Sequence, residues 1–169
     1  MYRIVTVCTG NICRSPMAEI MLTTAFGDAG LADDVAIDSA GTTGWEAGNA
    51  IDRRAAAKLT SLSLVSTDHR ARQFEASWYS ERDLILALDV DHYAELRRDA
   101  PDNSSRGKVR MLREFDPAVA GTDIAGLGIY DPWFGDDTDF DTTFTLIAGA
   151  VPGVVQFVLE ELAREETTG

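Results

Sequence analysis

The chain begins with a short apolar strand that runs into a loop of small residues and then into the start of a helix. The run at 2–7 is rich in β-branched residues, as in a strand buried in a parallel sheet. Ser15 is a favourable N-cap and Pro16 suits the first position of a helix, which predicts a helix over 16–27. No capping box supports this start, because alanine stands three residues after Ser15. A strand, a loop and a helix in this order predict an α/β fold.

The residues at this junction carry the groups of an anion-binding site, and we call them the Cys8 loop: Cys8-Thr9-Gly10-Asn11-Ile12-Cys13-Arg14-Ser15. A loop between a strand end and a helix N-terminus points several backbone N–H groups at one place, where the helix dipole adds positive potential. Asn11 tolerates the left-handed backbone that so tight a loop needs. Arg14 can close the loop around an oxyanion with its planar fork. The Cys8 loop is therefore predicted to bind a dianionic phosphate.

Cys8 is predicted to lie at the base of this loop. The N–H groups that bind phosphate also stabilise a thiolate, and the hydroxyl of Ser15 is placed to donate to the sulfur. No histidine lies nearby in the sequence to act as a base, and none is needed if the loop itself ionises the thiol. A bare Cys-x5-Arg pattern leaves open a structural cysteine packed beside a strand. The Gly10-Asn11 pair and the Ser15-Pro16 pair favour a nucleophile instead.

The Cys8 loop, together with Val7 and Pro16, resembles the phosphate-binding loop of the low-molecular-weight protein tyrosine phosphatases. The resemblance continues in family order over nearly the whole chain, through four further segments: Val35-Ala36-Ile37-Asp38-Ser39-Ala40, Gly44-Trp45-Glu46-Ala47-Gly48-Asn49, Asp68-His69-Arg70-Ala71-Arg72-Gln73 and Asp131-Pro132-Trp133-Phe134-Gly135. We call the last of these, residues 131–135, the Asp131 loop. The resemblance implies one phosphatase domain over 1–169 that hydrolyses phosphotyrosine in proteins.

The resemblance also implies a role for each site residue. Cys8 would be the nucleophile, Arg14 would hold the phosphate, and Asp131 would be the general acid. Asp131 precedes a proline, which favours an extended backbone there and stiffens the loop that carries it. A carboxylic acid in this place can protonate a leaving phenolate and then activate water, so two in-line displacements would pass through a cysteinyl phosphate. The phosphate-binding loop and its supporting hydrogen bonds would comprise Thr9, Gly10, Asn11, Ile12, Cys13, Ser15, Ser39 and His69.

Three aromatic residues are predicted to form the walls of a substrate slot: Trp45, Trp133 and Phe134. A phenyl phosphate needs depth and flat faces so that its phosphorus can reach Cys8 while its ring stacks. Ordinary core packing is the alternative, but all three residues lie in loops rich in glycine or proline, which favours exposure. By resemblance, many vertebrate members of the family carry tyrosines at the last two positions. Regulation through phosphorylation of those tyrosines is therefore not expected in this chain.

Strands and helices alternate along the rest of the chain, which predicts a parallel sheet with right-handed crossovers. The expected fold class is α/β, one domain with a four-stranded parallel sheet and helices on both faces. Its expected strands cover 2–8, 35–40, 83–88 and 108–112, and its expected helices cover 16–27, 51–61 and 90–99. Apolar residues from Phe144 to Leu162 keep a helical period, so a long C-terminal helix is expected, with a kink or break at Pro152 and Gly153.

The net charge of −13 argues against binding to nucleic acids or anionic membranes. The expected partners are phosphotyrosine-containing proteins, preferably with basic flanking residues, and phosphate or other oxyanions are the expected inhibitors. No stretch approaches about 20 apolar residues, and the N-terminus enters a strand without a signal peptide. Two cysteines in one loop do not make a disulfide framework, so a reducing cytoplasm is the expected location.

No metal or other cofactor is expected. The run 137–141 begins like a calcium loop, but Thr142 stands where the turn glycine belongs and Ala148 where the bidentate glutamate belongs. His69 and His92 show no zinc spacing with the two cysteines.

Other activities of the same fold are the alternatives. By resemblance, protein-arginine phosphatases carry threonine at the position of Ile12, so Ile12 favours phosphotyrosine. Arsenate reductases need further cysteines, and this chain has none after Cys13. A catalytically dead phosphopeptide-binding module would have lost Cys8 or Asp131, and both are present. A second role in redox sensing stays open, since Cys13 can capture an oxidised Cys8 as a reversible disulfide.

Overall fold

The chain folds around a parallel β-sheet in the computed structural model, which describes residues 1–64 and 68–168. The strands are β1 (Tyr2–Cys8), β2 (Val35–Gly41), β3 (Leu84–Ala87) and β4 (Val109–Met111), and their order in space is β2-β1-β3-β4. Every neighbouring pair is parallel. The predicted fold class, α/β with a four-stranded parallel sheet, is confirmed within these residues.

Helices cover both faces of the sheet. They are α1 (Arg14–Asp28), α2 (Arg53–Ser61), α3 (Trp78–Glu81), α4 (Val90–Asp99), α5 (Asn103–Gly107) and α6 (Asp137–Thr168). Residues of α1, α2 and α6 pack with Ile4 and Leu86 in one buried cluster, whereas residues of α3 and α4 pack with Val5 and Ile85 in a second one. Successive strand side chains point to opposite faces, so β1 and β3 contribute to both cores.

The helix α1 begins two residues earlier than predicted. Its N-cap is Cys13, whose side chain makes no capping hydrogen bond, and Arg14 is its first residue. The predicted N-cap at Ser15 and the predicted placing of Pro16 at the first helical position are therefore wrong. The Ser15 hydroxyl lies instead 3.0 Å from the Cys8 sulfur. Pro16 still falls in the first turn, where a missing N–H costs no helical hydrogen bond.

The helix α6 runs through Pro152 and Gly153 without the predicted break. Pro152 is exposed, so water can take the place of the helical hydrogen bond that a proline cannot make. A Cβ atom at Gly153 would clash with the carbonyl group of Phe115. The glycine therefore lets α6 approach the 3₁₀ turn Leu112–Phe115, and the pair predicted to break the helix is a packing site.

The helix α6 is also long and apolar enough, between Asp137 and Arg164, to pass for a membrane span by length and composition alone. The expectation that no stretch approaches this size was therefore wrong. Its fully buried residues recur at helical spacing and belong to the core cluster that also contains α1: Phe140, Ile147, Ala150, Val154 and Val158. Packing of this face accounts for part of the apolar composition of α6.

The other predicted boundaries lie within one or two residues of the observed ones, and β1 and α4 have the predicted bounds. The helix α2 begins at Arg53 because Asp52 caps it, accepting a hydrogen bond from Arg54 N at 2.8 Å. The strands β3 and β4 are each one residue shorter at both ends than predicted. The sequence reasoning missed the short helices and turns: α3, α5, Pro117–Val119, Ile124–Gly126 and Pro132–Phe134.

The carboxyl ends of β1 and β3 lie side by side at the centre of the sheet. Cys8 ends β1, and Leu88 and Asp89 follow β3. Ile129 N donates to Leu88 O at 2.9 Å, so the segment that leads into the Asp131 loop passes over the end of β3. Ligands of open α/β sheets bind at the carboxyl ends of two neighbouring strands whose connections run to opposite sides of the sheet. Here these strands are β1, which leads to β2, and β3, which leads to β4.

Candidate active site

The Cys8 sulfur lies at the base of the Cys8 loop, and the cysteine is 3% exposed. The hydroxyl of Ser15 is 3.0 Å from this sulfur and 3.2 Å from the carbonyl oxygen of Ala40. A hydroxyl hydrogen can turn toward either acceptor, so Ser15 is able to donate to a thiolate at Cys8. The contact that the sequence predicted between these two side chains is present.

Asn11 holds the Cys8 loop from inside. Its φ of 59° is left-handed, as the sequence predicted for this residue. The fully buried side chain donates to Ser15 Oγ at 2.9 Å and to Ser39 Oγ at 2.8 Å. Its oxygen accepts from the backbone N–H of Arg72 at 3.0 Å. The side chain that allows the turn therefore also fixes the hydroxyl next to the Cys8 sulfur.

Glu19 and His69 extend this network. Ser39 Oγ donates to Glu19 Oε2, and burial raises the pKa of this carboxyl although the Ser39 bond opposes the rise. His69 Nε2 lies 2.7 Å from the carbonyl oxygen of Asn11, so this nitrogen carries a proton and donates. The sequence reasoning named Ser39 and His69 but missed Glu19. The signal was a carboxylate one helical turn after Ser15, on the same side of α1.

Arg14 is 3% exposed and joins the Cys8 loop to the opposite wall of the site. One terminal nitrogen donates to Ile129 O at 2.8 Å and lies 3.4 Å from the Asp89 carboxylate, and the other donates to Asp131 Oδ2 at 2.8 Å. Among residues 1–64 and 68–168, the buried Nε atom of Arg14 has no hydrogen-bond partner. A buried donor without a partner is costly unless a ligand oxygen accepts from it.

Asp131 uses both of its carboxylate oxygens. One accepts from Arg14, and the other caps the 3₁₀ turn Pro132–Phe134 by accepting from Trp133 N at 3.1 Å. Its side chain is 40% exposed, in contrast to that of Arg14. The carboxyl group thus lies between the guanidinium and solvent, within reach of both.

A cavity of about 210 Å³ opens above the Cys8 loop. Its lining contains all of the residues predicted for the slot, and also Glu46, which no prediction assigned to the site: Cys8, Thr9, Gly10, Ile12, Cys13, Arg14, Trp45, Glu46, Asp131, Trp133 and Phe134. Trp45 and Phe134 are 82% and 88% exposed at its rim, so the alternative of core packing is wrong for them. The rings of Trp133 and Phe134 meet edge to face, 4.8 Å between centroids.

His92 supports the Cys8 loop from the side of α4. Its Nε2 lies 2.8 Å from Thr9 Oγ1, and the residue is only 4% exposed. Burial, reinforced by the positive charge of Arg14, lowers the pKa of His92 to about 4. The ring is therefore neutral at pH 7. The sequence reasoning considered this histidine only as a zinc ligand and missed its place beside Thr9.

Cys13, the second cysteine of the loop, is buried and free, as is Cys8. Burial and the nearby carboxylate of Asp52 raise the pKa of the Cys13 thiol. The two thiols of one loop are thus in different environments, and among the hydrogen bonds of the described residues only the Cys8 sulfur has a hydroxyl group as its partner. Residues 1–64 and 68–168 contain no group of three or more histidine, cysteine or acidic side chains arranged for a metal ion.

Comparisons with known proteins agree with this geometry. The family model described as low molecular weight phosphotyrosine protein phosphatase matches residues 3–167. A low molecular weight protein-tyrosine-phosphatase of Streptomyces coelicolor is 45% identical over 161 residues, which are 95% of this chain and 96% of the relative.

Two crystal structures show the same fold. A protein tyrosine phosphatase from Entamoeba histolytica superposes with a TM-score of 0.84 at 27% identity, over 95% of this chain and 99% of its own. An arginine phosphatase from Drosophila superposes with a TM-score of 0.81 at 26% identity, over 92% and 96%. Proteins named tyrosine phosphatase and arginine phosphatase therefore share this fold. The family model and the S. coelicolor relative are both named for phosphotyrosine or tyrosine phosphatases. The chain belongs to the low-molecular-weight phosphotyrosine protein phosphatase family.

Proposed function

We propose that this protein hydrolyses phosphotyrosine in protein substrates through a cysteinyl-phosphate intermediate. One observation carries the proposal. Three groups line a single cavity. They are a sulfur in contact with a hydroxyl group, a buried guanidinium whose Nε–H has no partner among the described residues, and a half-exposed carboxylate. These groups belong to Cys8, Arg14 and Asp131, which we propose as nucleophile, phosphate clamp and general acid.

In the first step, the Cys8 thiolate attacks phosphorus in line with the phenolic oxygen. The S–P bond forms while the P–O bond breaks, and Asp131 gives its proton to the leaving phenolate. Backbone N–H groups of the Cys8 loop and the guanidinium of Arg14 stabilise the equatorial oxygens. Ser15 stabilises the thiolate before attack, through the 3.0 Å contact to the sulfur.

In the second step, water attacks the cysteinyl phosphate. Asp131, now ionised, takes a proton from that water, the S–P bond breaks, and inorganic phosphate leaves with the Cys8 thiolate restored. The half-exposed position of Asp131 suits this exchange, because the same carboxyl group must reach both the leaving oxygen and solvent.

The ion pair between Arg14 and Asp131 also has a place in this scheme. Asp131 accepts from Arg14 at 2.8 Å. A phosphate dianion bound to the Cys8 loop competes for that guanidinium and adds negative charge next to the carboxylate. Competition for the guanidinium releases the Asp131 carboxyl from Arg14, so the carboxyl can turn toward the leaving oxygen.

Substrate choice follows from the walls of the cavity. The exposed rings at its rim, those of Trp45 and Trp133, give a phenyl ring faces on which to stack. A phosphoserine side chain is too short to bring its phosphate from this rim to Cys8. Glu46 in the wall and the net charge of −13 favour peptides with basic residues around the phosphotyrosine.

The decisive experiment is a turnover assay with peptides that carry phosphotyrosine, phosphoserine or phosphoarginine, without added metal. We expect turnover of phosphotyrosine, little of phosphoserine, and inhibition by inorganic phosphate. A preference for phosphoarginine would contradict the proposal and support the arginine phosphatase alternative.

Ile12 provides the matched variant for that alternative, because its side chain lines the cavity. We expect Ile12→Thr to raise phosphoarginine turnover relative to phosphotyrosine turnover. Unchanged selectivity in this variant would show that another residue excludes phosphoarginine.

We also propose that the protein acts in the cytoplasm on phosphoproteins, without nucleic-acid or membrane partners. Two free cysteines, one of them the proposed nucleophile, need a reducing environment to stay reduced. The strongly acidic composition supports the rest of this proposal, since it repels phosphate backbones and anionic lipids.

A further inference from the structure

Arg54 contacts the Asp131 loop, although its side chain is not part of the cavity lining. It is the second residue of α2, and its side chain is 33% exposed. One terminal nitrogen donates to Gly135 O at 2.9 Å, and the other donates to Trp133 O at 3.0 Å. Arg54 therefore holds two carbonyl groups of the Asp131 loop.

Asp52 fixes the orientation of the Arg54 guanidinium. Its carboxylate accepts from Arg54 Nε at 3.1 Å and from a terminal nitrogen at 3.0 Å, a two-point contact that sets the plane of the guanidinium. The ring of Phe140, 4.6 Å from the guanidinium carbon, gives it a further contact. The hydrogen bonds with Arg54 lower the pKa of Asp52 against the opposing effect of burial.

Asp52 in turn is attached to the Cys8 loop. Its backbone N–H donates to Ile12 O at 2.8 Å. The chain of contacts therefore runs from Ile12 through Asp52 and Arg54 to the carbonyls of the Asp131 loop. It joins the loop proposed to hold phosphate to the loop proposed to deliver the proton.

The contact with Trp133 is the critical one, because this residue is held from two sides. Its carbonyl oxygen accepts from Arg54, and its N–H donates to the carboxylate of Asp131 at 3.1 Å. A shift of the Trp133 backbone would therefore move the N–H group that donates to the Asp131 carboxylate. Misplacing a proton donor by about 1 Å is enough to cost roughly 100-fold in rate.

We infer that Arg54 is a positioning residue for general-acid catalysis: it sets the place of the Asp131 carboxyl relative to the Cys8 loop. This inference rests on the proposed function, since it assigns Arg54 a part in that same reaction. It predicts a specific defect. Loss of Arg54 impairs proton delivery to the leaving group and leaves phosphate binding in the Cys8 loop unchanged.

The test compares two aryl phosphates in the Arg54→Ala variant. Phenyl phosphate needs a proton on its leaving group, whereas 2,4-dinitrophenyl phosphate does not. We expect kcat/KM for phenyl phosphate to fall by roughly 10- to 100-fold, and kcat/KM for the dinitrophenyl ester to change by less than about threefold. The inhibition constant of inorganic phosphate should stay unchanged.

Arg53→Ala is the matched control, because Arg53 is exposed and its side chain makes no hydrogen bond or ion pair among the described residues. It should leave kcat/KM for both esters unchanged.

In the Asp131→Asn background, adding Arg54→Ala should cause no further loss of kcat/KM with phenyl phosphate, since no acid is left to be positioned.

Equal losses with both esters, or a full Arg54 effect in the Asp131→Asn background, would overturn the inference and leave the proposed function intact. A wild-type chain that hydrolyses neither ester would overturn the proposed function itself. If Arg54→Ala fails to fold by thermal melting, Arg54→Lys is used in its place, because it keeps the charge and loses the planar fork. The same leaving-group dependence is then expected.

Discussion

The Cys8 loop and the Asp131 loop face each other across one cavity, and they differ in burial and in bonding. Cys8, Asn11 and Arg14 are at most 3% exposed, and side chains from several elements hold them. Trp133 is 46% exposed and Phe134 is 88% exposed. The backbone of the Asp131 loop is held from outside chiefly by hydrogen bonds that Arg54 donates.

This difference matches two different tasks. Binding a phosphate requires many donors fixed before the ligand arrives, because the reorganisation is then complete at the moment of reaction. Delivering and recovering a proton requires a carboxyl group that can exchange with solvent between steps. Loss of the Cys8 or Arg14 side chain should therefore abolish chemistry for every substrate, whereas changes in the Asp131 loop should have effects that depend on the substrate.

The largest effect is expected from Cys8→Ser. A serine hydroxyl is a much weaker nucleophile than the cysteine sulfur that the proposed mechanism uses, so turnover should disappear for all substrates while the fold persists. Cys13→Ser is the control and should keep much of the activity. Stopped-flow assays detect a phosphoenzyme burst, and circular dichroism reports on the fold. A burst in Cys8→Ser would contradict the assignment of the nucleophile.

A smaller and selective effect is expected from Asp131→Asn. Proton delivery contributes roughly 10²- to 10⁴-fold, and it matters least when the leaving group needs no proton. kcat/KM across a series of aryl phosphates should therefore fall most for the most basic leaving groups. Asp89→Asn is the companion variant, since Asp89 lies 3.4 Å from Arg14. If Asp89→Asn shows the leaving-group dependence and Asp131→Asn does not, the acid is Asp89.

Trp133→Ala should weaken recognition without touching the phosphate site. Loss of the aromatic wall is expected to lower kcat/KM for phosphotyrosine peptides. The loss corresponds to about 1–3 kcal/mol of transition-state stabilisation. Inhibition by inorganic phosphate is the internal control and should change much less, because phosphate contacts the Cys8 loop alone. Equal weakening of phosphate and peptide would show that the Cys8 loop itself had shifted.

His92, which contacts Thr9 of the Cys8 loop, is expected to affect the pH dependence of stability and not turnover at neutral pH. Its pKa is about 4 in the folded protein and 6.5 in the unfolded chain, because burial and Arg14 outweigh the opposing influence of Asp131 and Asp91. The unfolded state therefore takes up the proton first, and stability contributed by neutral His92 is lost as the pH falls from 6.5 toward 4. At pH 5 this loss is about 2 kcal/mol.

Urea unfolding at pH 7.5 and pH 5 measures this contribution in wild type and in His92→Asn. The variant keeps a polar side chain near Thr9 but has no titratable group at position 92, so its stability should fall less between the two pH values. Equal pH dependence in both proteins would show that other groups control acid sensitivity.

The local sequence was sufficient for much of the fold and of the site. The β-branched run of β1, the alternation of strands and helices and the left-handed Asn11 are local properties, and each was predicted correctly. The resemblance of the Cys8 loop and the Asp131 loop to one family assigned their residues to a single site, although more than 100 positions separate them along the chain. Motifs of this kind are readable because their chemistry depends on residue type and spacing within a few positions.

Other features depended on contacts between distant parts of the chain. Ser15 is an ordinary N-cap by sequence, yet in the fold its hydroxyl contacts the Cys8 sulfur and the carbonyl oxygen of Ala40, and the helix begins at Arg14. Gly153 looks like a helix breaker, yet it is where α6 packs closely against the carbonyl of Phe115. In both cases a tertiary contact outweighed a local preference worth about 1 kcal/mol.

The supporting residues of the site depend on tertiary structure alone. Glu19, His92 and Arg54 carry no motif of their own, and acidic or basic residues on helices are most often solvated. Only the packing of α1, α4 and α2 around the end of β1 brings these side chains to Ser39, Thr9 and the Asp131 loop. Residue types and their spacing thus indicate which reaction the chain can catalyse, because the reactive groups are identified by residue type. How that chemistry is held in place is a property of the fold, because hydrogen bonds between distant segments exist only after folding.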